Sequence, residues 1–192
     1  MRLKFLASSL LVLLLTAGPA LAHTGAGTAF SFQSGFFHPL GGLDHLLAMF
    51  AVGLFAAQLG ARAIWLVPGA FVAMMMAGAL AGFAAIGIPG VEFGTTISIV
   101  AIALPVAVAL GMPAALAMTY VGFFALFHGY AHGAELPAQA DAAIYVAGFA
   151  LATALIHAAG IACGRMSARR GRHALRVAGG LVGIIGLGLA LS

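Results

Sequence analysis

The sequence predicts an all-α integral membrane protein, a cleaved signal peptide followed by a bundle of six transmembrane helices. Three observations carry that prediction. The 192 residues are 64% hydrophobic and only 6% charged, with a mean hydropathy of +1.16, whereas a soluble domain carries about 25% charged residues to cover its surface. Apolar runs of roughly 20 residues, the length that crosses the hydrocarbon core as a helix, recur to the C-terminus. Every arginine after the leader falls on or beside alternate gaps between those runs.

The first element is the leader, residues 1–22. Arg2 and Lys4 precede an apolar core from Leu6 to Thr16, Gly18-Pro19 breaks the helix, and Ala20-Leu21-Ala22 is the small-x-small pattern of signal peptidase. Cleavage after Ala22 makes residues 23–192 the working domain, begins it at His23 and takes the formal charge from +4 to +2.

Gly, Pro and charged residues then divide the chain into expected spans at about 43–60, 64–86, 92–111, 113–131, 141–163 and 174–191. A periplasmic mature N-terminus makes the loops alternate and leaves the C-terminus periplasmic. Arg62, Arg165, Arg169, Arg170, Arg172 and Arg176 then all lie at the cytoplasmic side, as the positive-inside rule requires for a bacterial inner-membrane protein. Spacings such as Gly78-x3-Gly82 and Gly179-x3-Gly183 read as helix packing.

The same survey excludes several functions. Eight scattered basic residues form no groove for nucleic acid, and the single Cys163 supports neither a disulfide framework nor a Cys-pair zinc site. No Walker or dinucleotide motif is present, and nothing calls for a prosthetic group.

Ionisable side chains at membrane depth carry a free-energy cost and therefore ask for a reason. Under this topology all four acidic residues, and five of the seven histidines, fall near the periplasmic face. His38-Pro39-Leu40-Gly41-Gly42-Leu43-Asp44-His45 leads into the first span, where Pro39 and the glycine pair suggest irregular or re-entrant backbone. Asp44 either faces a cavity together with His45 or orients a histidine through its ring N–H. Met49 follows His45 by one helical turn and offers a thioether, or simply packs. His128-Gly129-Tyr130-Ala131-His132 stacks two imidazoles at i and i+4, and Glu135 follows on the same face if the helix continues. Imidazole plus carboxylate suits first-row divalent cations. His23 is either a chelating N-terminus or a free end. Glu92 is a ligand or a helix-N-terminal carboxylate, and Asp141 reads as a cap. His157, deep in the fifth span, is a relay or a packing residue.

At these residues the chain resembles the HupE/UreJ family. The resemblance rests on His38-Pro39-x2-Gly42-x-Asp44-His45-x3-Met49-x2-Val52-Gly53 and on Phe127-His128-Gly129-x2-His132-Gly133-x-Glu135, and it extends over essentially the whole chain. It implies a secondary permease for nickel or, in some members, cobalt, with His38, Asp44, His45, His128, His132 and Glu135 carrying metal recognition. The resulting expectation is a non-enzymatic Ni2+ permease, with Co2+ or Zn2+ as the other cargo, that serves hydrogenase or urease. A metal-binding accessory or sensor without transport and a bis-histidine haem module are the alternatives. The metal ion and the lipid bilayer are the expected partners, and self-association into a homo-oligomer is left open.

Overall fold

The computed structural model describes residues 31–134 and 142–191. The leader, His23, Glu135 and Asp141 lie outside the described residues. Seven helices follow one another, with no strand among the described residues: α1 Phe32–Gly41, α2 Leu43–Leu59, α3 Ala63–Phe83, α4 Val91–Ala107, α5 Ala114–Ala134, α6 Ala142–Arg169 and α7 Arg172–Ala190.

Helices stand at all six expected positions, but only α3, α5, α6 and α7 are long and apolar enough to span by themselves. At 17 residues, α4 is a shorter apolar helix, and α1 with α2 forms a pair bent by 84°. The irregular backbone expected around Pro39 shrinks to one residue. The helix runs through Pro39 to Gly41 and breaks at Gly42, whose φ of −104° and ψ of 118° are extended. Two expected boundaries also move. Gly133 does not end α5, because it is a packing residue, and α6 continues past Arg165 to Arg169. A charge ends an apolar run, whereas a helix continues as long as its side chains are solvated.

The helices α2 and α6 run parallel, joined where Gly53 meets the His157 carbonyl and Gly160 meets that of Phe50. The pair α3 and α5 is also parallel, because Gly129 and Gly133 lie directly on the carbonyls of Met75 and Ala79, where a Cβ would overlap backbone. These close approaches are what small-x3-small spacing permits. The centre is α2, buried from Leu47 to Ala56 except at Phe50. Large apolar residues point outward instead, Trp65 at 81% exposure and Phe93 at 73%, as lipid contact requires.

Backbone polar groups inside the bundle are satisfied by specific partners, because lipid offers none. Pro105 lacks an N–H and so releases the carbonyl of Ala101 four residues earlier. The Tyr120 hydroxyl donates to that carbonyl at 2.7 Å. Near the end of α4, Gln58 Nε2 donates to Leu110 O at 2.8 Å and to Pro105 O at 3.2 Å, while Arg176 Nε donates to Ala107 O at 3.0 Å.

Candidate metal centre

The 84° bend at Gly42 has a direct consequence for chemistry. It folds α1 back so that His38 reaches the same end of the bundle as His45, at the start of α2, and as His132, at the end of α5. The His38 and His132 rings lie 4.6 Å apart between centroids, His45 and His132 4.5 Å, His45 and His128 5.2 Å, and His38 and His45 6.2 Å. Four imidazoles from three helices therefore form one cluster. His128 and His132 share a face of α5 because they are one turn apart, and Gly129 and Gly133 beside them seat that helix on α3.

Hydrogen bonds set the tautomers of two rings. His45 Nδ1 and Asp44 Oδ1 are 2.8 Å apart. A carboxylate only accepts, so Nδ1 carries a proton, and in the neutral ring Nε2 keeps its lone pair. His128 Nδ1 lies 3.4 Å from the Phe124 carbonyl, which likewise only accepts. The Nε2 atoms of His45, His128 and His132 are all buried without a hydrogen-bond partner. Leaving such an atom unpaired costs about 1–3 kcal/mol. The His45 ring lies against the other two, so the cluster offers unused nitrogen donors to a polar occupant. Carboxylate to imidazole to metal is a common way to aim a ligand, and Asp44 with His45 has that form. Asp44 also sits in the first turn of α2, where the helix dipole favours its charge.

The surrounding frame is aromatic. Phe149 lies 4.9 Å from His132 and 5.9 Å from His38, and Tyr145 lies 6.0 Å from His38. A small, partly open apolar cleft of about 30 Å³ lies beside His132, Met75, Gly129 and Phe149. Among the described residues, no group of three or more His, Cys, Asp or Glu side chains is placed so that it could hold a metal ion together.

The other expected residues are dispersed. Met49 is fully buried in the apolar core. Glu92 is exposed in the first turn of α4. His157 is buried at 2% exposure, its ring edge-on to Phe71 at 5.3 Å, with Nε2 unpartnered. Sequence reasoning missed the contribution of α6. Tyr145 and Phe149 read as ordinary apolar positions, and no spacing rule links them to His38. It also passed over Gln58 and Thr153, two polar residues in apolar runs.

A buried imidazole cluster at one end of a bundle of membrane-length helices defines a multi-pass membrane protein with a polar site inside its helical core. The chain belongs to the HupE/UreJ family, whose model, described as HupE / UreJ protein, matches residues 11–189. It is 42% identical over 173 residues to Protein HupE of Rhizobium leguminosarum bv. viciae, a match covering 89% of this chain and 91% of that relative. No solved structure matches the chain. The family is linked to nickel and cobalt transport and is one of transporters and accessory proteins, not enzymes.

Proposed function

We propose that this chain is an inner-membrane secondary permease that carries a divalent transition-metal cation, Ni2+ before Co2+, from periplasm to cytoplasm, supplying nickel enzymes such as hydrogenase or urease. The observation that carries this reading is the meeting of His38, His45, His128 and His132, three of them with buried, unpartnered Nε2 atoms. In this reading the leader is removed after Ala22, both mature termini are periplasmic, and the imidazole cluster faces the periplasm. Glu135, three residues beyond His132, completes the set with a carboxylate.

Capture proceeds by exchange of the ion's water for imidazole nitrogen, with Asp44 holding the His45 ring in its ligating tautomer and lending negative charge. A site that conducts must bind weakly enough to release, and neutral imidazoles supply affinity without a large charge trap. The membrane potential drives the ion inward, at about 2.3 kcal/mol per elementary charge per 100 mV, so a 2+ ion gains roughly twice that. A binding-only accessory protein would share the cluster but move no metal. Radiolabelled Ni2+ uptake by cells expressing wild type, His45→Ala or His128→Ala at equal protein level separates the two. We expect accumulation with wild type only, and equal accumulation in all three would overturn the permease reading.

A further inference from the structure

Among the described residues, six buried side-chain nitrogen or oxygen atoms have no hydrogen-bond partner: Nε2 of His45, His128, His132 and His157, Oγ1 of Thr153 and Oε1 of Gln58. They are not scattered. All six sit on α2, α5 or α6. Three belong to the cluster already described, and the other three continue away from it toward the opposite end of the bundle.

The geometry of α6 gives the order. Phe149 stands beside His132 in the cluster. Thr153 and His157 follow at one-turn intervals on the same face, about 6 and 12 Å deeper at 1.5 Å per residue. Both are almost wholly buried, at 0% and 2% exposure. His157 is not remote from the cluster, because its ring and that of His128 both lie against Phe71, at 5.3 and 6.2 Å. Farther along, Gln58 lies about 20 Å beyond His45 on α2. It borders a cavity of about 430 Å³ at the end of the bundle opposite the cluster, shared with Ala109, Gly111 and Arg176.

If His157 only packed, a phenylalanine would fill the space against Phe71 without an orphaned nitrogen, and Thr153 would be served equally by valine. Two bare polar groups, one turn apart on a buried face, leave donors open to a polar occupant. Imidazole nitrogen suits a first-row divalent cation, the threonine hydroxyl adds a weak oxygen donor beside it, and so weak a donor set suits an ion in passage.

We propose that His157 and Thr153 form a second, inner station for the transported cation, between the imidazole cluster and the cavity at Gln58. This rests on the permease reading above. The test uses the full chain purified into liposomes, an inside-negative potassium diffusion potential, and Ni2+ as the only transition metal. The expected result for His157→Phe and Thr153→Val is a fall in maximal uptake rate of about tenfold or more with KM within about twofold of wild type, since the capture cluster is intact. Thr153→Ser, which restores the hydroxyl, returns the rate to within about twofold. Rates preserved in both variants, a raised KM at unchanged maximal rate, or a Thr153→Ser as slow as Thr153→Val would overturn the inner station. Should His157→Phe not assemble, the near-isosteric Thr153 pair decides. Uptake abolished by His45→Ala but untouched by His157→Phe removes only the inner station. Wild-type vesicles no better than empty ones remove the permease reading with it.

Discussion

His45 Nδ1 lies 2.8 Å from Asp44 Oδ1, although the two residues are neighbours on one helix. Neighbouring helical side chains normally diverge by about 100°. Here the carboxylate meets the ring at Nδ1, while the opposite nitrogen is buried and unpartnered and the ring lies 5.2 Å from that of His128 and 4.5 Å from that of His132. Asp44 is 44% exposed and His45 16%, so the pair joins the outside to the buried cluster. Asp44→Asn keeps the shape and removes the charge. Ni2+ uptake should fall about 10–100-fold, as for other partners of metal-ligating histidines, with membrane abundance by immunoblot near wild type. Uptake equal to wild type would show that the pair does not serve the ion.

A tighter test of the same geometry uses the two glycines before it. A Cβ on Gly42 would stand 2.7 Å from Asp44 Oδ1 and 2.9 Å from His45 Nδ1, whereas one on Gly41 meets nothing within 4 Å. Gly42→Ala should therefore displace the pair and lower uptake, by about tenfold if one ligand is mis-aimed. Gly41→Ala should leave it unchanged. Initial rates of the two variants, compared at matched protein level, check this.

Protons compete with the cation for imidazole lone pairs, so ligand histidines must be neutral. Lowering the external pH should reduce uptake once the ligand imidazoles begin to protonate, and each further unit should then reduce it about tenfold where one deprotonation is required. The sign follows from the lone pair: the protonated ring has none to give. A rate that rises as the external pH falls, at constant potential, would argue against imidazole capture.

Stability has a separate handle in the contact between α3 and α5. Gly129→Ala or Gly133→Ala places a methyl group onto the backbone of Met75 or Ala79. Overpacking against backbone costs typically about 1–3 kcal/mol. Both variants should lose thermal stability in detergent, and Gly69→Ala, which meets nothing within 4 Å, should not.

The bond from Tyr120 to the Ala101 carbonyl predicts a non-additive pair. Tyr120→Phe leaves that carbonyl unpaired and should destabilise by about 1–3 kcal/mol. In a Pro105→Ala background the restored N–H serves the carbonyl itself, so the same change should cost less. A double-mutant cycle of unfolding midpoints reads the difference, and strict additivity would contradict the role assigned to Tyr120.

Much of the architecture was legible because a bilayer makes hydropathy almost a direct readout of helices. Where the expected limits failed, the cause was local. Gly133 looked like punctuation but is buried against a carbonyl, Arg165 ended an apolar run without ending its helix, and Pro39 was absorbed near the end of a short helix whose break fell at Gly42. The candidate site was legible in two halves. His128 and His132 share a face by spacing alone, and Asp44 next to His45 suggested orientation of a histidine.

By itself, then, the sequence determined what depends on neighbours along the chain: apolar length, the face shared by residues a turn apart, and the arginine pattern from which sidedness is inferred. The tertiary structure alone decided that His38 swings back onto His132 through the bend at Gly42. It alone placed Phe149 beside that cluster and His157 against Phe71, which also borders His128. The physical reason is range. Helical periodicity repeats every few residues and is written locally, whereas the choice of which helix faces meet is made by backbone contacts at glycines far apart in the chain.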